Sequence, residues 1–133
     1  MTELVAKKLA VVIVDDEAPA RNLLCELLAA HPDVEMVAEC ANGFEAVKAV
    51  AERHPDLILL DVQMPKLNGF EVLELIGEEV AVIFVTAFDQ HAIRAFEVHA
   101  VDYLLKPFDA DRLSAALARA RERIGRSGDA PGS

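Results

Sequence analysis

Residues 11–17 read "VVIVDDE". An apolar, mostly β-branched run fit for a buried strand ends abruptly on three acids, Asp15, Asp16 and Glu17. Two adjacent carboxylates held ~4 Å apart by a rigid strand repel by about 1 kcal/mol in water, and by about 4 kcal/mol at an effective dielectric near 20. A turn needs at most one of them as a cap. Something positive belongs beside them.

Outward from this stretch, the apolar pattern alternates between two periods. "LAVVIV" (9–14), "VEMVAEC" (34–40), "LILL" (57–60), "AVIFV" (81–85) and "VDYLL" (101–105) are short and β-branched or continuous, as strands of a parallel sheet covered on both faces are. The first, third and fourth are nearly all apolar and are expected at the centre. "VEMVAEC" alternates and suits an edge.

Helical spacing fills the intervals. Pro19 suits a first helical turn, and Leu23, Leu24, Leu27 and Leu28 repeat on one face until His31-Pro32. Phe44, Val47, Val50 and Ala51 do the same until His54-Pro55, and Phe70, Val72, Leu73 and Ile76 make a short third helix ending at Gly77. "QHAIRAFEVH" (90–99) is expected as the fourth. Asp109 is a plausible N-cap for a fifth, with Leu113, Leu117, Ala120 and Ile124 at helical spacing. Five strands, each followed by a helix, predict a doubly wound (βα)5 sheet of flavodoxin-like order 2-1-3-4-5. Ligands then sit beyond the carboxyl ends of the strands, between the first and third.

The 133 residues suffice for one domain with one core, and at 53% apolar the chain is not disordered. One Tyr, six Phe and no Trp make that core aliphatic. No apolar run approaches the ~20 residues of a membrane span, and "MTELVAKKLA" lacks the apolar core and cleavage site of a signal peptide. A cytoplasmic protein is expected. Cys25 and Cys40 have neither zinc nor redox spacing and read as reduced, partly buried thiols. Residues 1–111 hold 8 Lys/Arg against 21 Asp/Glu, a balance of −13, whereas residues 112–133 hold 5 against 2, a balance of +3. An acidic body does not bind nucleic acid by neutralising phosphates. The basic end reads as a solvated helix or a linker face, and "RSGDAPGS" (126–133) as a flexible tail.

Polar residues collect at the ends of the strands: Asp15 and Asp16 after the first, Asp61 after the third, Thr86 after the fourth, Lys106 after the fifth. The sheet order brings all five to one rim. Oxygen-only ligands select a hard cation, Mg²⁺ or Mn²⁺. Asp16 and Asp61 can each supply an oxygen, with Asp15 ligating or holding a metal-bound water, and Lys106 offsets the residual charge. A cation, a lysine and a hydroxyl around a carboxylate suit phosphoryl transfer onto that carboxylate, and Asp61, at the centre, is the best-placed nucleophile.

"VDDE" (14–17), "LILLDVQMPKLNG" (57–69), "VTAF" (85–88) and "DYLLKPF" (102–108) together resemble the motifs of response-regulator receiver domains of two-component signalling, whose fold is CheY-like. The resemblance covers residues 9–124, leaving 1–8 as an N-terminal extension and 125–133 as a flexible tail or a linker to an absent output domain. It implies that Asp61 accepts a phosphoryl group from a phosphohistidine on a sensor kinase, and that the chain catalyses only its own phosphorylation and dephosphorylation. Asp15, Asp16, Asp61 and the backbone carbonyl of Gln63 would hold Mg²⁺, and Thr86 and Lys106 would bind phosphoryl oxygens. Pro65 and Gly69 match the loop after the phosphoacceptor, and Lys106-Pro107 the family's cis bond. The implied switch draws Thr86 inward and turns Tyr103 behind it, changing the face of the fourth helix, fifth strand and fifth helix, with dimerisation as the expected consequence. Gln63 and Phe88 occupy the positions that tune phosphate lifetime, and Phe88 either shields phosphorus from water or packs on the fourth helix. "VTAFDQHAIRAFEVHAVDYLLKPFD" (85–109) further resembles receivers that precede LytTR-type DNA-binding domains. DNA binding and transcription regulation would then belong to that absent portion, the alternative being a stand-alone receiver acting through protein contacts.

Other chemistries fit less well. A phosphohydrolase with an aspartyl nucleophile would want a D-x-D pattern after the first strand and a cap insertion, and a flavodoxin-like cofactor binder would want hydroxyls and glycines there, not acids. A pseudo-receiver normally lacks part of the acid-plus-lysine set. His31, His54 and His99 sit at predicted helix C-termini, and His91 early in the fourth helix, without the i, i+4 pairing of a zinc helix.

Overall fold

Val11, Val12, Ile13 and Val14 of the opening stretch are all buried, because both faces of their strand are covered. The computed structural model describes residues 8–128. Strands β1 (Leu9–Val14), β2 (Val34–Cys40), β3 (Leu57–Leu60), β4 (Ala81–Thr86) and β5 (Asp102–Leu105) alternate with helices α1 (Ala18–Leu28), α2 (Gly43–Arg53), α3 (Gly69–Ile76), α4 (Ala92–Glu97) and α5 (Ala110–Gly128). All strand pairs are parallel, in the order β2-β1-β3-β4-β5. The near-continuous apolar strands β1, β3 and β4 are central, and the alternating β2 is an edge.

Period-two alternation divides the core. Val12, Val14, Ile58, Leu60, Val82 and Phe84 face a layer built from α2, α3 and α4, through residues such as Ala46, Val50, Phe70, Val72 and Ala95. Val11, Ile13, Leu57, Leu59, Ile83 and Val85 face α1 and α5, through Leu24, Leu28, Leu113, Leu117 and Ala120. This is the doubly wound, CheY-like arrangement.

Local chemistry starts the helices. Asn42 accepts the Glu45 backbone N–H at 2.9 Å at the head of α2. Asn68 and Glu71 form a reciprocal capping box on α3, and Asp109 accepts the Arg112 N–H at 2.8 Å before α5.

Some boundaries differ from the sequence reading. The fourth helix covers only Ala92–Glu97, not 90–99, because Ala95 alone turns into the core and His99 takes a left-handed φ of 62° that ends the run. Phe44 and Ala51 are exposed, and α2 packs through Gly43, Ala46, Ala49 and Val50 instead. The small Gly43 lets α2 approach α3, since a Cβ there would lie 2.9 Å from both Leu67 and Val72. Helix α5 continues through Gly128, past the boundary expected at 124 and into the stretch read as a flexible tail. Arg126 pairs with Glu122 one turn earlier at 3.1 Å, which favours continuation. The N-terminal extension up to residue 7 and the tail from 129 lie outside the described residues. No helix among the described residues is long and apolar enough to cross a membrane, and both cysteines are free thiols.

Candidate functional site

In a parallel sheet every strand points the same way, so the residues following β1, β3, β4 and β5 emerge at one edge. Asp15, Asp61, Thr86 and Lys106 meet there, three of them buried: Asp15, Asp61 and Thr86 are the buried polar residues of the described chain. Oxygens of Asp15, Asp16 and Asp61 lie within 4.8 Å of one another.

The cation the opening stretch demands is Lys106. Its Nζ donates to Asp15 Oδ2 at 2.7 Å and stands 3.6 Å from Asp61 Oδ2. Burial opposes the lysine's charge, but the Asp15 hydrogen bond and the charges of Asp61, Asp15 and Glu17 outweigh it and raise its pKa above the ordinary value. Its backbone N–H donates to the Thr86 carbonyl at 2.8 Å, anchoring it to β4, and the Lys106-Pro107 peptide bond is cis. Asp15 is held on both oxygens, by Lys106 and by the Glu17 N–H at 2.9 Å. Asp16 is exposed, and of the three carboxylates it is the one most open to solvent.

Asp61 accepts the Gln63 N–H at 3.3 Å. Burial pushes its pKa up; Lys106 opposes that, the Asp15 charge adds to it, and the Thr86 hydroxyl and Gln63 N–H favour the ionised form. A divalent cation would be the largest local charge and would draw the value down. The set of three carboxylates with no nitrogen or sulfur donor fits Mg²⁺ or Mn²⁺.

Gly69, the first residue of α3, rests on the backbone of Asp61 and Val62. A Cβ there would fall 2.6 Å from the Asp61 carbonyl oxygen, while its N–H donates to the Val62 carbonyl at 2.8 Å.

Thr86, the last residue of β4, is fully buried, and the Phe88 N–H approaches its Oγ1 at 3.4 Å. The Tyr103 ring packs on Phe84 at 6.3 Å between centroids, and its hydroxyl donates to the Phe88 carbonyl. Tyr103 therefore ties β5 to the loop after β4. The Phe88 side chain is 41% exposed. The Gln63 side chain meets His91 Nε2 at 3.0 Å.

None of the histidines joins the carboxylate cluster. His31 contacts Ser114 Oγ at 3.3 Å and Arg121 at 3.4 Å, and His54 caps α2 with φ 47°. The arginines of α5 are spent on intramolecular contacts. Arg112 and Arg119 both bind Asp102, Arg121 binds Asp33, and Arg123 donates to the His99 carbonyl. Arg21 is the site contact that sequence reasoning overlooked. From α1 its Nη1 donates to the Asp15 carbonyl at 2.7 Å while its Nε meets Glu39 at 3.1 Å. Apolar periodicity gave no signal for it.

The fold and this rim define a phosphoacceptor signalling module. The response regulator receiver domain family matches residues 11–118, and the chain belongs to that family. It is 50% identical over 113 residues to an uncharacterized response regulatory protein of Yersinia pestis, covering 84% of this chain and 48% of that one. It is 48% identical over 114 residues to the transcriptional regulatory protein BtsR of Salmonella typhi, with the same coverages of 84% and 48%. The chain thus spans about half the length of these curated relatives. Among solved structures, the response regulatory domain of protein mrkE from Klebsiella pneumoniae superposes with a TM-score of 0.81 at 31% identity, covering 88% of this chain and 98% of that one. The signal receiver domain of a Luxo repressor protein from Vibrio parahaemolyticus gives 0.84 at 26% identity, covering 95% and 99%.

Proposed function

We propose that Asp61 accepts a phosphoryl group from a phosphohistidine on a sensor kinase. The observation that carries this reading is the cluster of Asp61 with Asp15 and Asp16, with Lys106 on two of its carboxylates and the buried Thr86 at the end of the neighbouring strand. An oxygen of Asp61 forms the bond to phosphorus as the bond to the kinase's imidazole nitrogen breaks, and the imidazole leaves with that electron pair. Lys106 and the Thr86 hydroxyl receive phosphoryl oxygens, matching charge and donor to the oxygens that carry the transition-state charge. Asp16, Asp61 and the Gln63 backbone carbonyl, steadied by Asp15, would hold Mg²⁺ or Mn²⁺. Such a cation would supply charge neutralisation of the phosphoryl oxygens. The protein acts on its own carboxylate and not on a turned-over substrate.

The output follows from the same rim. On phosphorylation the Thr86 hydroxyl would be drawn toward the new phosphoryl group and Tyr103 would turn behind it, shifting the Phe88 loop that both residues contact. Beyond that loop, Ile93, Phe96 and Leu105 are exposed apolar residues of α4 and β5. A phosphorylation-promoted homodimer through α4, β5 and α5 would cover them. The length of the relatives, and the name transcriptional regulatory protein given to BtsR, support a further portion acting in transcription regulation, and the resemblance of residues 85–109 to receivers that precede LytTR-type domains favours a C-terminal DNA-binding output of that type. α5 would lead into it, with the whole regulator in the cytoplasm.

The test is intact-mass analysis after incubation with acetyl phosphate, with and without Mg²⁺, for the wild type and Asp61→Asn. One hydroxylamine-labile phosphoryl adduct is expected, in the wild type with metal alone. An adduct on Asp61→Asn refutes the assignment.

A further inference from the structure

We propose that Arg21 is a positioning residue for the carboxylate pocket: it pins the Asp15 carbonyl from α1, braced on Glu39 of β2, and so aims Asp16 at the cation site. The proposal rests on the phosphoacceptor reading above and adds to it a residue outside the motifs that carry it.

The turn from β1 into α1 has few restraints of its own. Glu17, at the N-cap of α1, makes no side-chain capping bond. Asp15 is tied through its N–H to the Cys40 carbonyl at 3.1 Å and through its carboxylate to Lys106 and the Glu17 N–H. Asp16 is exposed and has only its backbone to orient it. The Asp15 carbonyl and the Asp16 N–H belong to one planar peptide unit. A donor on that oxygen sets the plane from which the Asp16 side chain departs, and Arg21 Nη1 is that donor, at 2.7 Å. The guanidinium is well placed to be rigid: its side chain is 17% exposed and its Nε is held by Glu39 Oε1 at 3.1 Å. A planar fork satisfies two partners in fixed directions, which a lysine does not.

Charge alone would give Arg21 the opposite effect. As a cation near three carboxylates it should weaken binding of a second cation, so its removal should tighten Mg²⁺ binding. Glu39, paired with Arg21 Nε at 3.1 Å, offsets part of that charge, and the geometric role is taken as dominant. The direction of the change therefore decides between the two.

The experiment measures Mg²⁺ and Mn²⁺ affinity calorimetrically on the full chain for the wild type, Arg21→Gln and Arg21→Lys. The Mg²⁺ dependence of acetyl phosphate labelling and urea stability are followed in parallel. Arg21→Gln is expected to raise the Mg²⁺ Kd by about 10-fold, the lower range for residues that orient metal ligands. The half-saturating Mg²⁺ for labelling should move by the same factor. Arg21→Lys, which keeps the charge and loses the fork, should fall between the two. A Kd for Arg21→Gln equal to or tighter than wild type overturns the proposal, even if stability falls. Should Arg21→Gln not fold, Arg21→Lys decides alone, since an unchanged Kd overturns it equally. A wild type that neither binds Mg²⁺ nor becomes labelled defeats the phosphoacceptor reading instead.

Discussion

Substituting Gly69 by alanine sets helix propensity against a steric contact with the backbone of Asp61. At the first position of α3, alanine should gain up to about 0.5–1 kcal/mol over glycine by propensity. The added Cβ, however, would fall 2.6 Å from the Asp61 carbonyl oxygen, 3.1 Å from Val62 Cα and 3.3 Å from the Asp61 carbonyl carbon. A carbon tolerates an oxygen at about 3.3 Å, so roughly 0.7 Å must open between α3 and the strand end. All three neighbours are backbone, so no side chain can swing aside. The Gly69 N–H bond to Val62, at 2.8 Å, stretches as the gap opens. Overpacking of this kind costs about 1–3 kcal/mol and a weakened hydrogen bond about 1 kcal/mol more. After the propensity gain, a net loss of about 1–3 kcal/mol remains. Displacing Asp61 by several tenths of an ångström should also slow its labelling by about 10-fold or more, since in-line attack tolerates little misplacement. Gly125 in α5 is the control, because a Cβ there meets nothing within 4 Å; Gly125→Ala should gain about 0.5–1 kcal/mol. Urea unfolding followed by circular dichroism, with initial rates of acetyl phosphate labelling, measures both effects. A Gly69→Ala protein as stable as Gly125→Ala and labelled at the wild-type rate would refute the steric argument.

Three further outcomes are expected. Asp102 is partly desolvated, which alone would raise its pKa, but the Arg112 hydrogen bond, the Tyr103 N–H and the two arginine charges hold it below the usual carboxylate range. Its stabilisation is therefore present above the unfolded value of about 3.9 and lost as pH falls through the lower folded value. Asp102→Asn should cost about 1–2 kcal/mol at neutral pH, a gap that narrows in acid; urea midpoints differing equally at both pH values would contradict it. Asp16→Asn removes one of three crowded carboxylates and should raise metal-free stability by about 1 kcal/mol while abolishing the stabilisation expected of the wild type on adding Mg²⁺; thermal melts with and without Mg²⁺ test both. Phe88→Ala should shorten the lifetime of the Asp61 phosphoryl group several-fold if the ring excludes water, as followed by decay of the intact-mass adduct; unchanged decay leaves the ring a packing role.

Much of the architecture was legible in the amino-acid sequence because its signals are local. Continuous apolar runs mark β1, β3 and β4 as central strands, and alternation marks β2 as an edge. Right-handed crossovers then restrict the order of strands, and a parallel sheet necessarily delivers Asp15, Asp61, Thr86 and Lys106 to one rim. The pairings of long side chains depended on tertiary structure. Arg21 reaches a carbonyl six residues back and a carboxylate on another strand, Arg112 and Arg119 converge on Asp102, and Gly69 leans on Asp61. None of these follows a helical or strand period, because a flexible side chain bonds to whatever the packed layers bring within reach. The same reason explains α4 and α5: one stops early where only Ala95 finds the core, and the other runs on where arginines find partners.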